Sequence, residues 1–153
     1  MKKIFLIFFV LLIFTVSCNF NKEPISSEKF KSVMEKNGFS IENINIPQSS
    51  ENFEVIVKEV LIAKNSNYQI EFFVADNSDK AVRIFQDNKE KFMSSKVTTF
   101  SESNKDSGNK SKYTLKANSK FKVACRIENT LIYIDAPGIY EKNIERILKE
   151  LEN

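Results

Sequence analysis

The sequence predicts an α+β domain of two layers: an antiparallel sheet of about five strands with helices on one face, in the order α-β-β-α-β-β-β-α. Three observations carry this reading. Two period-2 segments, Asn65 to Val74 and Asn118 to Ile127, share the pattern Asn-Ser-x-aromatic-x-β-branched-x-apolar-x-β-branched at an offset of 53 residues. A stretch of helical apolar period precedes each, so the chain divides into two halves, each a helix followed by a hairpin. Last, Tyr140, Ile144, Ile147, Leu148 and Leu151 recur at spacings of 4, 3, 1 and 3, the clearest amphipathic helix in the chain.

Each element has a local cause. Ser26 and Ser27 offer N-cap hydroxyls to a helix from Glu28 to Asn37, where Phe30, Val33 and Met34 fall on one face. Gly38 at C′ ends it and sets Phe39 at C″, placed to pack back on Met34 or Val33. Residues 40 to 53, with Pro47 and Ser49-Ser50, read as a connection. Ser78 or Asp79 caps a second helix to about Phe92, with Ala81, Val82, Phe85 and Phe92 apolar. Pro137-Gly138 separates the last strand from the closing helix. Residues 94 to 112, rich in Ser, Lys, Asn and Asp around Gly108, read as a long mobile loop.

Register follows from alternation, because residues directly opposite in a hairpin share a face. A three-residue loop ending at Lys120 pairs Ala117 with Phe121, Leu115 with Val123 and Tyr113 with Cys125. A two-residue loop at Asn118-Ser119 instead sets Leu115 against Lys122, mixing core with solvent, so the longer loop is expected. The same choice at Asn65-Ser66-Asn67 sets Ile62 opposite Ile70 and Val60 opposite Phe72. A further strand, Leu131 to Asp135, follows a two-residue Asn129-Thr130 turn with Ile132 and Ile134 inward.

Composition narrows function by exclusion. The 153 residues contain no His, which removes His-based triads, His general bases and His metal ligands. Cys18 and Cys125 are too few for a thiolate metal site or a disulfide framework. The formal charge of +3 falls to +1 without Lys2 and Lys3, so no nucleic-acid partner is expected and any basic site must be local. No cofactor is implied either. Abundant Lys, Asn, Ile and Phe beside few Arg and Gly suggest codon bias, which makes many exposed Lys and Asn residues uninformative filler.

The N-terminus is more specific. Met1-Lys2-Lys3 is a positive region, Ile4 to Phe14 is an unbroken apolar run, and Thr15-Val16-Ser17-Cys18 stands before the chain turns polar. Through Val16 the apolar stretch is about 13 residues, roughly 20 Å as a helix against a hydrocarbon core of ~30 Å. It is too short to span comfortably. This layout resembles bacterial lipoprotein precursors: Val16, Ser17 and Cys18 match the lipobox, whose Cys receives a diacylglyceryl group and becomes the first residue. The resemblance implies a signal peptide over 1–17, a lipidated tether over 18–25 and one domain over 26–153, anchored through Cys18 at the outer face of a bacterial cytoplasmic membrane. The alternatives are an ordinary secretory signal with a chance Cys, which lacks its small-residue cleavage pattern here, or an uncleaved anchor.

Catalytic chemistry is hard to find. The alternation puts Cys125 on the inward face of a strand without a base, which reads as a small core hydrophobe. Neither Asp76-Asn77-Ser78-Asp79 nor Asn104-Lys105-Asp106-Ser107-Gly108 has calcium-loop spacing, and no phosphate-cradling Gly loop or nucleophile motif occurs. One constellation stands out. The expected register places Lys116 opposite Lys122 and Lys112 opposite Arg126 on the outward face, with Tyr133 beside Arg126, and opposed like charges destabilise a sheet. Lys112, Lys116, Lys122, Arg126 and Tyr133 therefore form a candidate anion-binding face for an envelope polymer, an acidic protein or lipid headgroups, or else a solvated face in a Lys-rich chain. The expectation is a non-enzymatic binding or interaction module. An envelope enzyme without His is the alternative.

Overall fold

The computed structural model describes residues 22–45, 57–94 and 100–153; the expected signal peptide, Cys18 and residues 46–56 lie outside them. Helix α1 (Ser27–Lys36) begins where its capping hydroxyl dictates: the Ser26 side chain accepts the Lys29 N–H at 3.1 Å. It ends as a Schellman motif, with Gly38 at φ +79. Gly38 N–H donates to Glu35 O and Phe39 N–H to Met34 O, both at 3.0 Å. Phe39 is buried in the same cluster as Met34 and meets Tyr68 edge-on, ring centroids 5.3 Å apart.

One antiparallel sheet of seven strands follows, in the spatial order β1-β2-β3-β7-β6-β5-β4. The strands are β1 (Ser40–Asn43), β2 (Val57–Lys64), β3 (Gln69–Ala75), β4 (Phe100–Ser107), β5 (Lys110–Ala117), β6 (Lys120–Ile127) and β7 (Thr130–Pro137). Helix α2 (Ser78–Ser94) separates β3 from β4, and α3 (Glu141–Glu152) closes the chain after a 3-10 turn at Gly138–Tyr140. Two strands are additions to the expected five. β1 lies in the stretch read as a connection, where Ile41 sits opposite Ala63. β4 lies in the stretch read as a mobile loop, and pairs with β5 from Phe100–Ala117 to Ser107–Lys110 about a turn at Gly108 (φ +55) and Asn109. Neither carries an apolar alternation, so backbone pairing chiefly defines them, with Ile41 of β1 packing against the core.

Helices cover both faces of the sheet, which corrects the two-layer expectation to three layers. On one face, α1 and α3 bury Phe30, Met34, Ile144 and Leu148 against Phe72, Val123 and Ile134. On the other, α2 buries Ala81, Phe85 and Phe92 against Tyr113, Leu115, Ala124 and Leu131. The reason is that β7 is apolar on both sides, with Ile132 and Ile134 on one and Leu131 and Tyr133 on the other, and a strand buried on both sides needs cover on both.

Registers differ from expectation by one residue, which exchanges faces. In β5–β6 the loop is the two-residue one, Asn118-Ser119, with φ of 52 and 59, and Leu115 does oppose Lys122. Lys122 resolves the conflict by laying its stem on the covered face, its ammonium 5.1 Å from the Phe92 ring centroid and 3.5 Å from Asp135. In β2–β3 the loop has four residues, because Asn65 Oδ1 accepts the N–H of Asn67 (2.8 Å) and of Tyr68 (3.0 Å). Leu61 thus opposes Phe72 in the core, while Ile62 opposes Glu71. The β6–β7 turn is Glu128-Asn129, one residue earlier than expected, with Glu128 at φ +53. Ile132 and Ile134 are buried as expected. The α2 cap also moves back one residue: Asn77 Oδ1 accepts the Lys80 N–H at 2.9 Å, leaving the Ser78 hydroxyl to donate to Glu128.

Candidate functional site

The corrected register divides the expected cationic stripe between the two faces. Lys112 opposes Cys125 and Lys116 opposes Phe121, so both lie on the face that α1 and α3 cover. Lys122 and Arg126 lie on the α2 face, opposite Leu115 and Ser111. Neither expected like-charge pair forms. Lys116 pairs with Glu141, and Lys122 with Asp135. Arg126 is buried, 6% exposed, and clamps neighbouring elements: Nη2 donates to Ser111 Oγ at 3.1 Å and Nη1 to Glu128 O at 3.2 Å. Its Nε finds no hydrogen-bond partner among the described residues. Tyr133 opposes Ala124 and stacks on Phe92 at 4.6 Å; burial, then Glu71 and Asp135, push its phenol up to about 12.

A different like-charge pair is present. Lys105 of β4 lies directly opposite Lys112 of β5. The alternation of this ribbon sorts charge by face: Ser101, Ser103, Lys105 and Ser107 share a face with Lys110, Lys112, Thr114 and Lys116. Glu102, Asn104 and Asp106 fall on the reverse. A cleft of about 290 Å³ opens there between Lys105, Ser107, Lys110, Lys112 and Glu152. Lys110 is paired with Glu152, while Lys105 and Lys112 have no ion pair among the described residues. The sorting signal was present in the sequence as Ser/Lys alternating with acid. It had no meaning while residues 100 to 107 were read as a loop.

The same end of the sheet receives the incoming chain. Lys22 N–H donates to Asn109 Oδ1 at 2.9 Å, and Asn109 Nδ2 donates back to Lys22 O at 2.6 Å. Asn109 Nδ2 also donates to Glu128, whose carboxylate accepts the Ser78 hydroxyl at 2.7 Å. The Ser78 bond, then the Asn109 bond, holds the Glu128 carboxyl below the usual carboxylate range, with Arg126 adding a smaller pull. Ile25 is buried and its N–H reaches Thr130 Oγ1 at 3.3 Å. The described part of the expected tether, Lys22 to Ile25, therefore lies against the domain at the Gly108–Asn109 turn.

Cys125 is 2% exposed, and burial above all pushes its thiol up to about 11, so it carries little thiolate at neutral pH. Asp76 pairs with Lys80 and Lys58, whose hydrogen bonds hold its carboxyl low. Among the described residues no group of three or more His, Cys, Asp or Glu is placed to hold a metal ion.

Comparison with protein-family models gives no match, and comparison with curated proteins gives none. Among solved structures, the chain is similar to a GTP binding regulator from Thermotoga maritima, 17% identical, with a TM-score of 0.47 over 87% of this chain and 90% of that one. A likeness this distant says nothing of what the chain binds.

Proposed function

We propose that this chain is a non-enzymatic, lipid-anchored binding module, held by acyl chains on Cys18 at the outer face of a bacterial cytoplasmic membrane and contacting anions through the β4–β5 ribbon. The observation that carries the binding role is the sorting of Lys105, Lys110, Lys112 and Lys116 to one ribbon face, with Lys105 and Lys112 directly opposed. Two cations set across a ladder repel by a few tenths to about 1 kcal/mol unless an anion lies between them. The anchoring rests on the residues of the N-terminus: a positive start, a short apolar run and Cys18 in lipobox context. Two or three acyl chains at ~0.8 kcal/mol per buried CH₂ hold a protein stably where one is marginal. Among the described residues no helix is long and apolar enough to cross a membrane.

Binding is tested apart from anchoring with a chain of residues 22–153, which carries neither the acylated cysteine nor the apolar run. It should sediment with anionic vesicles or isolated envelope polymer at low salt and be released as salt rises. Adding Lys105→Glu and Lys112→Glu should abolish the effect while leaving the circular dichroism spectrum unchanged. Equal sedimentation of both proteins, or of neither, contradicts the binding role.

A further inference from the structure

We propose that the Gly108–Asn109 end of the sheet is the membrane-facing surface, with the Lys105–Lys112 pair resting on anionic lipid headgroups. This rests on the reading of Cys18 as the anchor. The first support is the leash. Lys22 is fixed to Asn109 by two hydrogen bonds, and the four peptide steps from Cys18 to Lys22 extend to about 14 Å at most. An anchor on Cys18 therefore holds this turn close to the headgroups, and a tether that short keeps the local concentration of lipid high. The lysine pair lies three ladder steps from the turn, after Ser107–Lys110 and Asp106–Ser111, or about 10 Å along the strand.

The second support is the contrast between the two ends. The far end, about 26 Å away along the eight residues of β5, carries the Asn65–Tyr68 and Asn118-Ser119 turns. Its lysines are matched: Lys64 pairs with Glu42, Lys116 with Glu141 and Lys120 with Asp135. At the near end Lys110 and Glu152 satisfy each other, and Glu128 is occupied by Ser78 and Asn109. Glu23 is exposed there as the acid beside Lys22. Lys105 and Lys112 alone of this ribbon face have no carboxylate in ion-pair reach among the described residues, on the side nearest the anchor. Headgroup phosphates are the anions the leash brings within reach.

The test uses the full acylated chain in vesicles of zwitterionic lipid, with and without phosphatidylglycerol. A fluorophore goes on a cysteine introduced at Ser107→Cys or, at the far end, Ser66→Cys; both positions are exposed and Cys125 is buried. Quenching by headgroup-labelled lipid is then read. The Ser107 probe should be quenched in phosphatidylglycerol vesicles and released by salt, and the Ser66 probe should not be quenched. Lys105→Gln with Lys112→Gln should lower the docked-to-free ratio roughly 25-fold at low salt, since each lysine at an anionic surface contributes about fivefold. Equal quenching at both positions, indifference to phosphatidylglycerol, or a response only to added envelope polymer overturns the orientation. Failure of the chain to float with any vesicle overturns the anchor itself, and is seen before fluorescence is measured.

Discussion

Cys125 shows what a single inward position fixes. It sits on the apolar side of β6 opposite Lys112 and Ile132, and its thiol is free. Cys125→Ser should cost roughly 1 to 3 kcal/mol in urea unfolding, because a hydroxyl there has no ready partner. A bulky thiol reagent should leave the native protein unlabelled at neutral pH, and rapid labelling would contradict the burial. Glu128 gives a pH signature. Its folded carboxyl is held below the unfolded value, so its contribution is present above that value and is lost as pH falls through the folded one. Thermal stability should hold down to about pH 5 and then decline, and Glu128→Gln should flatten part of the decline. The effect is small because the group is solvent-screened. Cys125 was legible from alternation alone. Lys122 was not: a long amphipathic side chain reads as solvent, yet its ammonium sits over the Phe92 ring.

Turns decide how the strands align, and they were the least legible elements. Asn118 and Ser119 both take positive φ, the geometry of a two-residue hairpin turn whose twist matches the strands it joins. That preference outweighs the mixed Leu115–Lys122 pair. Ser119→Gly should stabilise the domain by about 0.5 to 1 kcal/mol, since a non-Gly residue is strained there. Gly138→Ala should do the reverse, because a Cβ would meet Ser119 O at 3.2 Å. Urea midpoints measure both. Helix α1 was legible through its Ser26 cap and α3 through its apolar stripe. β4 was not, as after Phe100 it alternates only polar residue types, a composition suited to an edge that must not recruit another strand. With β4 unseen, the Lys105–Lys112 pair was invisible too, and the expected stripe grouped Lys112 and Lys116 with Lys122 and Arg126, which lie on the opposite face.

At the scale of the whole molecule, the second apolar face distinguishes three layers from two. Ala124, Leu131 and Tyr133 alternate with the residues of the first core, and only the fold shows that α2 covers them. Phe85→Ala should cost about 3 to 5 kcal/mol, as a fully buried aromatic does. A loss under about 1 kcal/mol would mean that α2 lies off the sheet. The arrangement also brings Lys22 to the same end as the Lys105–Lys112 pair, so the proposed anchor and the proposed binding face fall on one side of the molecule. The membrane-bound role, unlike the layering, depends on the covalent state of Cys18. Intact mass of the protein extracted from membranes tests it most directly. The expected result is a chain beginning at Cys18 and carrying a diacylglyceryl adduct; an unmodified N-terminus at any other residue would contradict it.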